Sequence, residues 1–175
     1  HPDMKHIPGV DMSTGSLGQG ISAAVGMALS SKHFGDGYNV YAILGDGEIE
    51  EGQVWEAAMF AANKGLSNLT AFIDLNNLQI DGTIDEVNSA KPVDKKFEAF
   101  GWHVINIDGH NYAEIEAALA EAKTVDKPVA VIAQTIKGKG VSYMENAVNW
   151  HGAAPNDELY AVAMQELTAA LAALN

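Results

Sequence analysis

The sequence predicts an α/β fold, a parallel sheet with helices on both faces. Short apolar segments typical of buried strands alternate along the chain with segments whose apolar residues recur at helical spacing. That alternation favours a parallel sheet, because each crossover helix then covers one face of the sheet. No repeat, low-complexity tract or Pro/Gly-rich linker interrupts the sequence, so residues 1–175 are predicted to form a single domain.

The first half of the chain contains two predicted strands, each preceded by a helix. Residues 18–34 have the helical pattern, and residues 39–44 form a short apolar strand that ends at a Gly-Asp-Gly sequence. Residues 52–64 are rich in strong helix formers and stop at a glycine typical of a helix C-terminus. Residues 69–75 have the composition of a buried strand. Residues 76–90 are predicted to be a loop with a turn at Asp81-Gly82.

The second half continues the alternation. Residues 93–100 are a predicted short helix, and residues 102–107 are a third strand. Asn111 is a typical N-cap and begins the next helix. Residues 128–135 form a fourth apolar strand, and after a loop rich in Gly and Lys a terminal helix begins at about Asp157.

Charge and composition exclude several classes of function. The net charge is −13, which disfavours nucleic acid and anionic membranes as partners, since both require clustered Lys and Arg. No apolar run approaches the roughly 18–20 residues that span a bilayer. Without cysteine, neither disulfide nor thiolate chemistry is available, and a cytoplasmic location is expected. The chain begins with His1 and not with methionine, so we expect it to lack its N-terminal part. No charged-then-apolar leader suggests secretion.

Polar residues follow two neighbouring predicted strands at the point where each strand ends. Gly45–Gly47 ends the first strand, and Asn76-Asn77 ends the second, thirty positions after Asp46. The carboxyl ends of parallel strands meet at one edge, so both sequences are expected on one rim. A carboxylate, an amide oxygen and a backbone carbonyl suit Mg²⁺, which keeps water or phosphate as its other ligands. Glycines on either side let the backbone approach a diphosphate that so acidic a loop holds only with a metal ion.

The glycines near this rim have two other interpretations. Gly-Asp-Gly by itself is also typical of a tight strand-to-helix turn with an Asp cap. The segment Gly15–Gly20 resembles a nucleotide-binding glycine fingerprint only loosely, because no clear strand precedes it and no Walker lysine follows.

Six blocks of sequence, in the same order over nearly the whole chain, resemble the transketolase family. They are STGSLGQG (13–20), LGDGEIEEGQVWEA (44–57), NNLQIDG (76–82), FGWHVINIDGH (100–110), KGKGVSYME (137–145) and WHGAAP (150–155). The Gly-Asp-Gly and Asn-Asn pair also looks like the thiamine diphosphate signature. In particular, the chain resembles the two-subunit bacterial and archaeal form.

The resemblance implies thiamine diphosphate as cofactor with Mg²⁺, for which Ca²⁺ or Mn²⁺ would substitute. The implied metal ligands are the side chains of Asp46 and Asn76 and the carbonyl of Leu78. Gly15 and Leu17 match backbone contacts to the aminopyrimidine side of the cofactor, and Ile80 matches an apolar wall near the thiamine. Gly47 matches a position where a backbone amide meets the diphosphate. The predicted cofactor-binding positions are Gly15, Leu17, Gly45, Asp46, Gly47, Asn76, Leu78, Ile80 and His151.

The same resemblance implies three catalytic candidates. His1 matches a histidine that contacts the donor ketose, and His151 one near the diphosphate and the reacting sugar. Glu51, with Glu56, matches acids buried at a dimer interface, where a proton relay between active sites has been proposed. Glu48 and Glu50 are instead expected to form an acidic first helical turn, which is favourable to the helix dipole. Four histidines are expected to be structural or solvent-facing: His6, His33, His103 and His110.

The implied reaction transfers a two-carbon ketol unit from a ketose phosphate to an aldose phosphate, as in the pentose phosphate pathway. The cofactor serves as electron sink while the protein orients it and moves protons. The glutamate that activates the aminopyrimidine in the family lies on a second domain, so the chain is not expected to catalyse alone. Its predicted partners are a C-terminal subunit carrying the pyrimidine-binding domain, sugar phosphates, and a second copy packed through the helix after Gly52, giving a heterotetramer.

Two alternatives remain. One is a different thiamine diphosphate enzyme, such as deoxyxylulose-phosphate synthase or a 2-oxo acid dehydrogenase subunit, against which Gly18–Gly20 and Trp150–Gly152 both argue. The other is a cofactor-binding or assembly subunit without activity of its own. An assay of ketol transfer in the presence of the partner subunit distinguishes this inactive subunit from a subunit of an active transketolase.

Overall fold

The computed structural model describes residues 1–174, and within them a parallel sheet forms the centre of the fold. Its strands are β1 (Val40–Gly45), β2 (Leu69–Leu75), β5 (His103–Asp108) and β6 (Val129–Gln134). They are hydrogen-bonded in the order β1-β2-β6-β5, and each neighbouring pair is parallel. The predicted α/β class is therefore confirmed.

Apart from the short helix α3, the helices lie where the sequence predicts them. They are α1 (Gln19–Phe34), α2 (Gly52–Asn63), α3 (Ile84–Val87), α4 (Val93–Ala99), α5 (Tyr112–Ala122) and α6 (Asp157–Ala173). As predicted, the side chain of Asn111 caps α5, accepting from the amide of Ala113 at 3.0 Å. Among residues 1–174, no helix is both long and apolar enough to cross a membrane.

The larger part of the core lies between the sheet and helices α1, α2 and α4. Three aromatic rings pack together there: the ring centroids of Trp55 and Phe97 lie 5.2 Å apart, and those of Phe97 and Trp102 lie 5.3 Å apart. The indole N–H of buried Trp102 donates to the Ala58 carbonyl at 2.9 Å, so its one polar atom is satisfied. These contacts anchor α2, the helix that follows the predicted site.

Helix α5 covers the opposite face of the sheet and packs there on β5 and β6 through Ile107, Ala118 and Val131. Helices therefore lie on both faces, as predicted. The part of this face beside β1 is left open within residues 1–174. Ile43 there is 80 % exposed and Tyr41 is 47 % exposed.

The segment predicted to be the loop 76–90 is more ordered than expected. It contains a small hairpin, β3 (Leu78–Gln79) and β4 (Gly82–Thr83), followed by α3. The turn lies at residues 80–81, one residue before the predicted position, because Gln79 pairs with Gly82. Strands of two residues are too short to produce an alternating pattern. The capping box between Thr83 and Glu86 was readable from the sequence as Thr-x-x-Glu.

Candidate functional site

Asp46 and the Asn76-Asn77 pair meet at the carboxyl edge of the sheet. Gly45 pairs with Asp74 in the ladder between β1 and β2, so the two strands end side by side. The amide of Asp46 donates to the Asp74 carbonyl at 3.2 Å, which continues the ladder by one residue. The predicted juxtaposition of the two sequences on one rim is confirmed.

The Asp46 carboxylate is buried, with 2 % of the residue exposed. Burial raises the pKa of this carboxyl, although hydrogen bonds donated by the amides of Asn77 and Gly47, the latter at 2.9 Å, act in the opposite direction. None of the ion pairs formed among residues 1–174 includes Asp46. A buried carboxylate without a cationic side chain is costly, and a divalent cation would offset that cost.

The Asn-Asn pair supplies two different functions. Asn77 has a left-handed backbone, φ 67°, which Asn tolerates better than most residues and which directs its amide to the Asp46 carboxylate. The side-chain oxygen of Asn76 accepts from the Leu78 amide at 3.0 Å. All three predicted metal-ligand residues therefore belong to one hydrogen-bonded loop pair. The role of Asn76 as a metal ligand stays a prediction, and the sequence did not predict the backbone role of Asn77.

The groups at this rim that could bind a metal ion do so through oxygen atoms. Among residues 1–174, no group of three or more His, Asp or Glu side chains converges as a metal site. A cation at Asp46 therefore needs amide and carbonyl oxygens as well, which is the donor set predicted from the sequence. Such a set suits Mg²⁺ or Ca²⁺ better than a metal that requires several imidazoles.

Gly47 lies beneath the hairpin that follows Asn77. A β-carbon at this position would be 3.0 Å from the Gln79 β-carbon, so the hairpin packs as closely as a glycine allows. The side-chain Nε2 of Gln79 donates to the Glu50 carboxylate at 2.8 Å. This bond fixes the hairpin over the Gly-Asp-Gly loop.

Glu48 and Glu50 lie in a first helical turn, as predicted, but this turn is a separate 3₁₀ turn, Glu48–Glu50, that precedes α2. Both residues are half-buried, and their carboxylates make hydrogen bonds that the sequence did not predict. Glu48 accepts from the amides of Gly18 at 3.0 Å and Gly45 at 3.2 Å. Gly18 and Gln79, which bond to Glu48 and Glu50, lie on segments distant in sequence, so the local acidic pattern could not reveal them.

The glycine-rich segment 13–20 reaches the same rim. Gly18 precedes α1 with φ 80°, and a β-carbon there would lie 2.9 Å from the Glu51 β-carbon. A side chain at this position would therefore be strained and would collide with the start of α2. The structure brings the segment of Gly15 and Leu17 next to the loop of Asp46 through this junction.

The predicted contacts at Gly15, Leu17, Ile80 and His1 can be placed in the fold. The His1 imidazole lies against Gly15, where a β-carbon would be 2.7 Å from its Nε2. Ile80 is 66 % exposed, so its side chain is available as the predicted apolar wall. The contact predicted for Leu17 is one of its backbone, and the residue is 60 % exposed. Their contacts with the cofactor stay a prediction.

Three further predicted residues, His151, Glu51 and Glu56, make no hydrogen bond to Asp46 among residues 1–174. His151 is exposed, and its amide donates to the Val148 carbonyl at 2.9 Å. Glu51 and Glu56 are exposed, at the beginning and on the first turns of α2. The catalytic and relay roles of these residues stay predictions.

The other histidines are structural or exposed, as predicted. His103 Nε2 lies 2.6 Å from a Glu121 carboxylate oxygen. His110 Nε2 accepts from the amide of Ile136 at 2.8 Å and so links the loops after β5 and β6. His6 and His33 are exposed.

Comparison with known proteins agrees with this geometry. Residues 1–169 match the family model described as transketolase, thiamine diphosphate binding domain. The 6-deoxy-6-sulfo-D-fructose transketolase subunit SqwG of Clostridium sp. (strain MSTE9) is 49% identical over 168 residues, which are 95% of this chain and 61% of that protein. An apulose-4-phosphate transketolase subunit of Phocaeicola vulgatus is 41% identical over 172 residues, covering 96% of this chain and 60% of that protein.

Solved structures give the same answer. The crystal structure of transketolase from Campylobacter jejuni superposes with a TM-score of 0.86 at 35% identity, covering 94% of this chain and 27% of that one. The chain spans about three fifths of the length of the two curated subunits and a smaller part of the full-length enzyme. The chain belongs to the transketolase family, of which it carries the thiamine diphosphate binding domain.

Proposed function

We propose that this chain is the thiamine diphosphate-binding subunit of a split transketolase, which transfers a two-carbon ketol unit from a ketose phosphate to an aldose phosphate. The observation that carries the proposal is the buried Asp46 carboxylate, joined to the Asn76-Asn77 loop at the carboxyl edge of the sheet. Further support comes from two relatives that are themselves named as transketolase subunits.

The metal in this proposal is Mg²⁺, held by the side chains of Asp46 and Asn76 and by the Leu78 carbonyl. The chain has a net charge of −13, and the loop at Asp46 is itself acidic. This loop can hold a diphosphate only if a cation compensates for the negative charge of the loop and of the diphosphate. Asp46 Oδ1 accepts from the Gly47 amide at 2.9 Å. For that amide to meet the diphosphate, the carboxylate must turn toward the ion.

When bound, thiamine diphosphate would supply the electron sink for cleavage and formation of the carbon–carbon bond. The residues of this chain hold and surround it. The exposed side chain of Ile80 would exclude water from its apolar parts. The imidazoles of His1 and His151 would donate hydrogen bonds to sugar oxygens and move protons there. Glu51 would take part in the proton relay.

The assembly in this proposal is a heterotetramer in the cytoplasm. Two copies of the chain would pack through α2, where Met59 is 50 % exposed and Phe60 is 41 % exposed. Each would bind a C-terminal subunit with the pyrimidine-binding domain, which would bring the activating glutamate. Exposed apolar side chains next to the acids Glu51 and Glu56 favour this helix as the contact between copies.

Two kinds of sugar are candidates for the donor. The named relatives act on 6-deoxy-6-sulfo-D-fructose and on apulose-4-phosphate. The first carries a sulfonate and the second a phosphate, so a terminal oxyanion is common to both. We propose a ketose phosphate donor and include the sulfo-sugar in the test.

The complete subunit, co-expressed with its C-terminal partner subunit, tests the proposal. Calorimetry with thiamine diphosphate should show binding that requires Mg²⁺. Ketol transfer should be seen only when both subunits are present. Binding without transfer from any donor would favour the assembly subunit, and transfer that proceeds from a different donor class would favour another thiamine diphosphate enzyme.

A further inference from the structure

Glu48 joins two segments of the predicted cofactor site through its two carboxylate oxygens. Oε1 accepts from the Gly18 amide at 3.0 Å, and Oε2 accepts from the Gly45 amide at 3.2 Å. Gly18 and Glu48 are thirty positions apart in the sequence. Both oxygens are therefore engaged, and the residue is only partly exposed.

The two segments hold opposite ends of the predicted cofactor. Gly18 follows Gly15 and Leu17, the predicted contacts on the aminopyrimidine side, and Gly45 precedes Asp46 at the diphosphate. Gly18 is the N-cap residue of α1 and has no side chain that could cap the helix. The acid at this helix start is Glu48, which comes from a distant turn and accepts from the Gly18 amide. Hydrogen bonds to a carboxylate are about twice as strong as neutral ones, and negative charge is favourable at a helix N-terminus.

A third segment is joined to the same 3₁₀ turn. Glu50 accepts from the Gln79 side chain at 2.8 Å, and Gln79 belongs to the hairpin that follows Asn76. The turn Glu48–Glu50 thus contacts three loops on which predicted cofactor residues lie.

We propose that Glu48 is a positioning residue that sets the spacing between the Gly15–Gly18 segment and the Asp46 loop. This inference rests on the proposed function, because the spacing matters for a ligand that spans both. Glu48 acts through the two amides. Without the carboxylate, either segment shifts, and the cofactor loses alignment with one of its two ends.

The substitution Glu48→Gln distinguishes positioning from a general effect of charge. Glutamine offers one acceptor oxygen, so its NH₂ group would face one of the two amides, donor against donor. Glu116→Gln removes the same charge from an exposed site on α5, which packs on β5 at the far edge of the sheet from β1. Glu48→Asp keeps the charge and shortens the reach by one methylene.

The experiment uses the complete subunit with its partner chain and two measurements. Calorimetry at saturating Mg²⁺ gives the Kd for thiamine diphosphate, and amide hydrogen exchange of the cofactor-free complex follows Gly18 and Gly45. Glu48→Gln and Glu48→Asp should each raise the Kd about tenfold or more and speed exchange at one or both amides. Glu116→Gln should leave both measurements unchanged.

The outcomes separate the two proposals. If the wild-type complex does not bind thiamine diphosphate, the proposed function fails, and the exchange measurement still tests the bonds of Glu48. If the wild-type binds and both Glu48 variants bind equally well, the positioning role is overturned. A lowered melting temperature with an unchanged Kd also overturns it, since Glu48 would then act on folding alone. Should Glu48→Gln not fold, Glu48→Asp carries the test.

Discussion

The imidazole of His1 occupies the space beside Gly15 that a β-carbon would need. A β-carbon at residue 15 would lie 2.7 Å from His1 Nε2 and 2.8 Å from Cδ2, closer than any real contact. The two residues were predicted separately, one for the donor sugar and one for the cofactor. Their contact means that the size of residue 15 decides where the His1 ring can lie.

Gly15→Ala should therefore displace His1 with little effect on stability, because both residues are exposed. A displacement of about 1 Å at a group that positions substrate costs on the order of 100-fold in rate, and kcat/KM for ketol transfer should fall by about that factor. Gly26→Ala is the control, since Gly26 lies in α1 with nothing within 4 Å of its added β-carbon. Equal kinetics for the two variants would contradict the assignment.

Asp46→Ala should abolish Mg²⁺-dependent binding of thiamine diphosphate. Replacing partners of a metal ligand weakens affinity by about 10–100-fold, and loss of the ligand itself should exceed that. Calorimetry of the complete subunit pair measures the affinity for thiamine diphosphate in the presence of Mg²⁺. Asp85→Ala removes an exposed acid that pairs with Lys91 and should bind normally. Unchanged affinity in Asp46→Ala would rule out the shared-ion site.

His151→Ala should change turnover or donor affinity more than it changes folding. The side chain is exposed, and surface substitutions usually alter stability by less than about 0.5 kcal/mol. Steady-state kinetics and thermal unfolding of the same preparation separate the effects. A large fall in Tm with normal kinetics would assign His151 a structural role.

Met59→Glu should weaken the self-association of the subunit. Met59 is 50 % exposed on α2, so a charge there costs the isolated fold little but would be desolvated in a contact between copies. Light scattering of the complete subunit should show smaller particles than for the wild-type protein. Met164→Glu, at a 44 % exposed position on α6, is the matched control. Identical masses for all three proteins would exclude α2 as the contact.

Glu166 should give stability a dependence on pH in the acid range. Hydrogen bonds donated by the Ser142 hydroxyl at 2.5 Å and amide at 2.8 Å lower its pKa below the ordinary value of 4.5. A lowered pKa means that the ionised group stabilises the fold above pH 4.5, and that this is lost as pH falls through the folded-state pKa. The difference in Tm between wild-type and Glu166→Gln, followed from about pH 6 to about pH 3, should shrink toward zero. A difference that stays constant would contradict the linkage.

The sequence predicted the fold because its periodic signals are long. Each predicted strand of the central sheet lies within one residue of its observed bounds, and each predicted helix does so at the ends for which a bound was predicted. The position of Asp46 beside Asn76-Asn77 followed from strand direction alone. Parallel strands leave their polar termini on one edge, whatever the packing of the helices.

The missed features depend on contacts between distant segments. Glu48 looked like any acid in a first helical turn, and its partner Gly18 lies thirty positions earlier. Asn77 contributes through a left-handed backbone and not through its side chain. The hairpin after Asn77 was too short for a pattern, whereas Thr83 and Glu86 did offer a local signal in their capping box.

The open part of the sheet beside β1 has a practical consequence for handling the protein. β1 is the terminal strand of the sheet within residues 1–174, and its own residues Tyr41 and Ile43 form an apolar strip on the uncovered face. An unpaired strand edge beside apolar side chains is a template for pairing with other chains. Preparations limited to these residues should therefore aggregate as concentration rises, and solubility will improve with whatever polypeptide covers that strip.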